Sequence, residues 1–189
     1  MFIAGAFLLW TLCINAQTDS VGIYPTTNDY QLKKLKYAAP CQNKKHGLRL
    51  NKFLDQSFVT VFENGKKRHV EKSAVFGFHD CESKDYRFFK NHEYAIIRYS
   101  GTLHLYSREM LQPKGKTVVA ETFYFFSNGI DGVILPLTIN DLRFAFPDNW
   151  RFHELIEKQF PDEKSLMHYD TARQEYELIT TYNHSKNYY

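Results

Sequence analysis

The stretch FVTVFENGKKRHVEK, from Phe58 to Lys72, carries the strongest fold signal in the chain. Apolar and polar residues alternate on both sides of Asn64-Gly65. Asn-Gly between alternating segments is typical of a β-hairpin with a type I′ turn, because that turn needs positive φ at both central positions. We therefore predict two antiparallel strands joined by a two-residue loop. The predicted register pairs Glu63 with Lys66, Phe62 with Lys67, Val61 with Arg68 and Val59 with Val70.

The same stretch is also basic. Four of the eleven residues from Phe62 to Lys72 are Lys or Arg, and His69 lies among them. Such a density raises the question of a site for phosphate, nucleic acid or a sulfated sugar. In a hairpin, however, side chains alternate, so Lys66 and Arg68 lie on one face and Lys67 and His69 on the other. We expect solubilising charges on an exposed hairpin, not an anion site.

The region from Leu48 to Leu137 continues the strand pattern. Short runs rich in Val, Ile, Phe and Tyr alternate with turn residues, which is typical of an antiparallel meander. No helix-length segment interrupts these runs, and this argues against a parallel sheet. The predicted strands are residues 58–63, 67–72, 74–78, 86–89, 94–99, 102–107, 117–126 and 133–137.

From Thr138 the hydrophobic period becomes helical. Thr138 and Asp141 resemble a capping box at the start of a short helix. A second helix follows Pro147-Asp148-Asn149, and Pro161 ends it. Asp162 can cap a last helix, and the final residues 181–189 should fray. The second helix carries Phe152, Leu155, Ile156 and Phe160 at helical spacing, and the last one carries Leu166, Tyr169, Tyr176 and Ile179.

These patterns predict an α+β fold: a curved antiparallel β-meander or half-open barrel of seven to nine strands, followed by two or three C-terminal helices. Residues 47–189 should form one globular domain, with the meander over 48–137 and the helices over 138–181. A lipocalin-like or pleckstrin-homology-like barrel is the nearest alternative.

The N-terminus resembles a secretory signal peptide. Phe2 to Ile14 is an apolar run of suitable length, and Ile14-Asn15-Ala16 is an acceptable cleavage site, although no Lys or Arg precedes the run. We expect removal of residues 1–16 and a periplasmic or secreted protein. The alternative is a buried N-terminal helix or strand. Residues 17–46 are polar and should form an extended leader that is loosely attached, with room for one short strand.

Cys41 and Cys81 remain after cleavage at Ala16. In an oxidising compartment two thiols can pair, and each lies beside a turn-like segment. Two free, buried thiols are the alternative. A zinc site is disfavoured because neither cysteine has the C-x-x-C spacing of a ligand set.

No motif for catalysis or cofactor binding stands out. The eight His include no H-E-x-x-H pair, and the chain has neither a G-x-S-x-G elbow nor a Gly-rich phosphate loop. His79-Asp80-Cys81 brings three ligand types together, but it is better interpreted as a strand end entering a turn. We therefore assign no catalytic, cofactor or metal residues and no cofactor. A net charge of +3 gives no reason to expect nucleic acid as a partner.

Aromatic residues make up 16 % of the chain. Segments such as YRFF and FYFF place rings on both faces of their strands. This pattern predicts a sheet buried on both faces, although an aromatic-lined cavity or a sugar-stacking surface would have the same composition. Gly77, inside AVFGF, should mark a bulge or a close backbone approach.

Several segments resemble a group of small secreted proteins of Gram-negative bacteria. They are ENGKKRHVEKSAVFGFHDCESKDYRFF, LYSRE, YFFSNGIDGVILPLTINDLRFAFPDNWRFHELIEKQF and LMHYDTARQEYE. The resemblance covers roughly residues 48–177. The resemblance implies export and a setting in the Gram-negative envelope. It brings no catalytic residues that could be carried over.

Together these observations favour a non-catalytic binding or interaction module of the cell envelope, whose partner is a protein or a glycan. One alternative is a carrier that holds an apolar ligand inside a β-barrel. Another is a hydrolase whose site, built around Cys81 or Ser73, forms only in three dimensions. No transmembrane segment is expected in the mature chain.

Overall fold

The computed structural model describes residues 20–42, 47–50, 56–63 and 65–186. In this part of the chain the strands are β1 (Ser20–Tyr24), β2 (Lys36–Pro40), β3 (Phe58–Glu63), β4 (Lys66–Glu71), β5 (Gly77–His79), β6 (Asp85–Phe89), β7 (His92–Arg98), β8 (Leu103–Lys114), β9 (Thr117–Asn128), β10 (Leu135–Pro136), β11 (Tyr169–Asp170) and β12 (Glu175–Tyr176). The helices are α1 (Thr27–Gln31), α2 (Ile139–Ala145), α3 (Trp150–Gln159) and α4 (Glu177–Lys186), with 3₁₀ turns at Lys72–Ala74 and Lys164–Met167.

Eight strands form one antiparallel sheet, in the order β10-β9-β8-β7-β6-β5-β1-β2. From β5 to β10 each strand pairs with the next in sequence, as the meander interpretation predicts. The sheet is open, with β10 and β2 at its edges, and is not closed into a barrel. The predicted α+β fold, a curved meander followed by C-terminal helices, is confirmed.

Strands β3 and β4, the hairpin predicted around Asn64-Gly65 and called the first hairpin below, form a separate two-stranded sheet. Their predicted register is confirmed at all four pairs. The hairpin packs on the large sheet through Val59 and Val61, which join a buried cluster with Ile23, Phe78 and Phe88. The register of the large sheet places Phe88 on the same face as Leu105. The hairpin therefore covers one half of a face whose other half lies under the C-terminal helices.

The C-terminal helices bury the largest apolar cluster against β8 and β9. Leu103, Leu105 and Phe126 are fully buried there. The cap at Thr138 is confirmed, because its hydroxyl accepts a hydrogen bond from the backbone N–H of Asp141 at 3.0 Å and donates one to the Asp141 carboxylate at 2.7 Å. The helical members of this cluster are Leu142, Phe146, Phe152, Ile156, Leu178, Ile179 and Tyr182.

The single helix predicted after Asp162 was wrong. The chain instead forms the Lys164–Met167 turn, the β11–β12 hairpin and then α4. The Asp162 carboxylate accepts the backbone N–H of Ser165 at 2.9 Å, but Asp162 lies one residue before the N-cap of the turn, Glu163. The prediction of a frayed tail was also wrong as far as Lys186, because α4 buries Tyr182 and Ser185. Residues 187–189 lie outside the described residues.

The prediction of a loosely attached leader was wrong for residues 20–42. Strand β1 lies inside the large sheet, between β5 and β2, and Ile23 is fully buried. A short polar segment can add a strand to a sheet when its few apolar side chains meet an existing core, as Ile23 does. The predicted signal peptide (1–16) and residues 17–19 and 43–46 lie outside the described residues.

Cys41 and Cys81 form a disulfide, with their Cα atoms 5.5 Å apart. This resolves the alternatives left open by the sequence in favour of pairing. The bond links the end of β2 to the turn between β5 and β6, so it fastens the N-terminal segment to the meander.

Candidate functional site

The basic stretch of the first hairpin does not form one patch. Residues 66–69 are all exposed, but their side chains alternate between the two faces of β4. The last cation of the stretch, Lys72, is 3 % exposed, and its ammonium lies 2.8 Å from the carboxylate of Glu93. This ion pair attaches the end of the hairpin to β7, which is a structural role.

The His79-Asp80-Cys81 segment lies at the end of β5 and the start of a turn, as the sequence indicates. The Asp80 carboxylate accepts the backbone N–H groups of Glu82 and Lys84 at 2.8 and 2.9 Å. The sulfur of Cys81 is held in the disulfide, so it is not a free nucleophile. Within the part of the chain that the structure describes, no three His, Cys, Asp or Glu side chains group as metal ligands would.

A polar cluster surrounds the carboxylate of Asp85, which sequence reasoning did not single out. The carboxylate accepts hydrogen bonds from the Tyr24 hydroxyl at 2.9 Å and the Lys33 ammonium at 2.6 Å, and it lies 2.7 Å from Nδ1 of His79. Burial opposes the charged form, but the hydrogen bonds from Lys33, His79 and Tyr24 outweigh it and lower the pKa of Asp85. The cluster ties the N-terminal segment to β5 and β6.

A second polar group lies on the same face of the sheet as Asp85, around Arg87. Its guanidinium is buried and donates to the Tyr106 hydroxyl at 3.2 Å and the Gly132 carbonyl at 2.8 Å. The Tyr106 hydroxyl lies 3.0 Å from Ser127 Oγ, which donates to the Gly129 carbonyl at 2.7 Å. These bonds fix the segment after β9 over the sheet, so this region is a filled interior.

The far end of the β8–β9 hairpin is exposed. The two strands pair along all twelve residues of each. In contrast, β7 pairs with β8 only as far as Ser107, and β10 pairs with β9 only as far as Phe125. Residues 109–114 and 117–122 therefore project as a two-stranded segment, about 20 Å long at ~3.4 Å per residue. We call these twelve residues and their turn the ribbon.

Neither edge of the ribbon pairs with another strand among the described residues. A two-residue loop, Gly115-Lys116, joins Lys114 to Thr117, and Gly115 has φ 65°, as a type II′ turn requires at its first central position. The closing pair of such a loop is hydrogen-bonded, and hydrogen-bonded pairs then alternate along the ladder.

The alternation fixes which residues of β9 face outward. Val118, Ala120 and Thr122 belong to the pairs without mutual hydrogen bonds, so their N–H and C=O groups point away from β8. The same parity holds further along, where the outward carbonyl of Tyr124 accepts the backbone N–H of Leu137 at 3.0 Å. Among the described residues, no backbone hydrogen bond reaches residues 118, 120 or 122 from outside the ribbon.

The ribbon also exposes apolar side chains. Leu111 is 62 % exposed, Val118 is 64 % exposed and Val119 is 37 % exposed. Because Leu111 pairs with Ala120 and Pro113 with Val118, these four side chains share one face of the ribbon. An extended apolar face beside an unpaired edge is a known template for binding another strand.

Sequence reasoning placed strands at 102–107 and 117–126 and missed the ribbon's first strand. Pro113 lies between these two predicted strands, and proline cannot donate to a ladder. In the structure Pro113 occupies an outward-facing position of β8, where an N–H would have no partner in β9. The alternation of EMLQPK with TVVAET around Gly115 was the signal that could have revealed it.

Two clefts open on the surface of the described residues. One, of about 540 Å³, lies between α3, α4 and the β11–β12 turn, with a polar lining that includes Gln159, Arg173 and Glu177. The other, of about 470 Å³, is lined by Tyr30, Gln31, Lys33 and Tyr99.

None of the helices in the described ranges has the length and hydropathy needed to cross a bilayer. No protein-family model, curated protein or solved structure matches this chain significantly.

Proposed function

We propose that this protein is a non-catalytic interaction module that binds an extended segment of a partner protein along the β9 edge of the ribbon. The observation that carries the proposal is the outward-facing backbone of Val118, Ala120 and Thr122, beside exposed apolar side chains. In β-strand addition, main-chain hydrogen bonds supply affinity, and side chains at alternate positions supply specificity.

The β9 edge is a better docking edge than the β8 edge. Val118, Ala120 and Thr122 each offer an outward N–H and C=O, whereas Pro113 removes one outward donor from β8. Proline on an edge strand is a common block to pairing. A partner strand beside β9 would place alternate apolar side chains next to Val118 and Ala120.

The two alternatives from the sequence have less support. The eight strands of the main sheet do not close, so they form no barrel lumen for an apolar ligand. The hydrolase alternative named Cys81 or Ser73. The sulfur of Cys81 is bonded to Cys41, and Ser73 is exposed in the Lys72–Ala74 turn.

The experiment places a photo-crosslinking amino acid at Val119, whose side chain lies on the ribbon, in the protein expressed in its native host. Wild type should crosslink to a protein of the envelope. The double substitution Ala120→Pro and Thr122→Pro removes two outward N–H groups without removing a β8–β9 bond. We expect it to reduce crosslinking at least tenfold with an unchanged circular dichroism spectrum.

Two controls make the result decisive. A crosslinker at Tyr169, which is 43 % exposed and lies on β11, should capture no shared partner. Ala120→Val and Thr122→Val keep both N–H groups and should retain crosslinking. Equal crosslinking in the proline and valine variants would refute strand addition. Crosslinks only to a second copy of the chain would replace the proposed partner with self-association.

The envelope setting is part of the proposal. A disulfide is typical of proteins that fold in oxidising compartments. We predict cleavage after Ala16 and a mature N-terminus at Gln17, because Ile14-Asn15-Ala16 follows an apolar run. Intact-mass analysis of protein from the native host measures this directly, and a mass that includes Met1 would contradict it.

A further inference from the structure

The cleft of about 470 Å³ lies far along the sheet from the ribbon, between the C-terminal end of α1 and the end of β7. Four side chains line it: Tyr30, Gln31, Lys33 and Tyr99. Its size is within the range of small-molecule sites, and its lining combines aromatic rings with a few polar groups, as such sites commonly do.

Tyr99 forms a rigid aromatic platform at the cleft. Its ring stacks on the imidazole of His104, with centroids 4.6 Å apart and an interplanar angle of 27°. The ring of Tyr30 meets it edge to face at 5.9 Å. His104 is 1 % exposed, while Tyr99 is 39 % exposed. One side of the Tyr99 ring is therefore held by a buried residue, while the side chain remains open to a ligand.

Two polar side chains stand next to this platform. The Gln31 amide donates to the Tyr99 hydroxyl at 2.5 Å, which fixes both groups at the cleft. The Lys33 ammonium lies 4.3 Å from the centre of the Tyr30 ring and 2.6 Å from the Asp85 carboxylate. An amide and an ammonium beside an exposed ring present hydrogen-bonding groups around an apolar surface.

The end of helix α1 fixes the backbone position of Lys33. Helix α1 ends in a Schellman motif, in which the backbone N–H groups of Lys33 and Lys34 donate to the carbonyls of Tyr30 and Asp29 at 3.1 and 2.8 Å. Lys33 has φ 53° at the position that usually holds glycine. This helix end holds the Lys33 side chain beside Tyr30 at the cleft.

From these features we infer that the cleft binds a neutral hexose unit of a glycan, stacked on Tyr99. Sugars present an apolar face of C–H groups and a ring of hydroxyls, which matches an aromatic platform with flanking donors and acceptors. The charge of Lys33 is compensated by Asp85 at 2.6 Å, so the cleft offers donors without a strong preference for anions. The same ammonium disfavours a cation. This site is independent of the ribbon.

The test uses saturation-transfer NMR with four neutral probes, the methyl glycosides of glucose, galactose, mannose and N-acetylglucosamine. Glucuronate and AMP are measured beside them as charged ligands. At least one neutral probe should bind wild type with a dissociation constant in the millimolar range. Tyr99→Ala should weaken that binding at least tenfold, because it removes the platform. Tyr99→Phe keeps the ring and should stay within about threefold of wild type.

Tyr169→Ala is the matched control, because Tyr169 is 43 % exposed and lies outside the cleft. It should leave binding unchanged. An amide NMR spectrum of each variant verifies folding, and Gln31→Ala, at the surface, should weaken binding several-fold if Tyr99→Ala fails to fold. No binding of any probe at 50 mM, binding of glucuronate or AMP alone, or equal losses in Tyr99→Ala and Tyr169→Ala would each overturn the inference.

Discussion

Gly77 lies in β5, opposite Arg87 of β6. A Cβ atom added at this residue would lie 1.8 Å from the carbonyl oxygen of Tyr86, which is backbone and cannot move aside. The sequence-based expectation of a close backbone approach at Gly77 is therefore confirmed. The residue is required by space, since a positive φ is not involved here.

We expect Gly77→Ala to destabilise the fold by at least about 3 kcal/mol, because overpacking against backbone forces β5 and β6 apart. Gly101→Ala is the control. Gly101 has φ 52° but open space around it, so the cost there should be only about 1–2 kcal/mol. Urea unfolding measures both, and similar losses in the two variants would show that the contact with Tyr86 is not decisive.

His104 makes stability depend on pH. Burial, and secondarily the charge of Arg87, lower the pKa of His104 to about 4, while the Gly101 backbone acts weakly in the opposite direction. Neither ring nitrogen has a well-formed hydrogen bond among the described residues. The folded protein therefore keeps this imidazole neutral at pH values where the unfolded chain protonates it.

The consequence is a loss of stability between pH 6.5 and about 4, where only the unfolded state gains the proton. By linkage, His104 should account for about 2–3 kcal/mol of the decrease between pH 7.5 and 4.5. Below about pH 4 its contribution levels off, and the loss of stability from Asp85, whose pKa is also lowered, begins. Urea unfolding of wild type and His104→Gln at several pH values measures how much of the stability loss is due to His104. The same dependence of stability on pH in both proteins would contradict this account.

At the scale of elements, the β6–β7 turn contains avoidable strain. Phe89 and His92 close a two-residue loop in which Lys90 has φ 48° and Asn91 has φ 66°. This is the type I′ pattern, for which Asn-Gly is the preferred sequence, and Lys at positive φ is costly.

We expect the double substitution Lys90→Asn and Asn91→Gly to stabilise the protein by about 0.5–1 kcal/mol. Lys116→Asn tests the reason, because Lys116 lies in a two-residue turn but is not among the residues with positive φ. It should bring no gain. Thermal and urea unfolding measure both variants, and an equal gain at Lys116 would attribute the effect to charge and not to backbone strain.

Elements differ in how far the sequence could predict them, and the difference follows from locality. The register of the first hairpin was predictable because it depends on a turn and its flanking residues. The prediction of the last helix was wrong because Leu166, Tyr169 and Tyr176 have helical spacing yet belong to a 3₁₀ turn and two strands. Side-chain period alone does not distinguish several short elements from one helix.

The candidate sites were harder to predict than the fold. The four members of the Asp85 cluster come from β1, the end of α1, β5 and β6, and only the folded sheet brings them together. The cleft likewise joins residues 30–33 to Tyr99. The ribbon was recognisable in principle, since its strands are local, but Pro113 concealed it. A single sequence reveals local hydrogen bonding better than convergence of distant residues.

At the scale of the whole molecule, the N-terminal segment completes the domain. Strand β1 pairs with β5 and brings Ile23 and Tyr24 into the core, at 0 % and 2 % exposure. Helix α1 adds Tyr30, which stacks on Phe76 at 5.0 Å. The disulfide at Cys41 then fastens the segment covalently. A domain that begins at residue 47, as the sequence suggested, would lack these side chains. The residues that pack against them, such as Phe76 and Phe78, would then be exposed to solvent.

We therefore expect a chain that begins at Gly47 to lose cooperative unfolding, whereas a chain that begins at Gln17 should keep it. Burial of each large side chain contributes about 1.5–3 kcal/mol, and a disulfide closing a loop of this length contributes about 3–4 kcal/mol. Together these losses approach the entire stability of a typical domain, about 5–15 kcal/mol.

Replacing Cys41 and Cys81 with Ser in the longer chain separates the two causes, because it removes the disulfide and keeps β1. That variant should fold with a loss of about 3–4 kcal/mol. Urea unfolding followed by tryptophan fluorescence compares all three, and a Gly47 chain with the same midpoint as the Gln17 chain would show that β1 is dispensable.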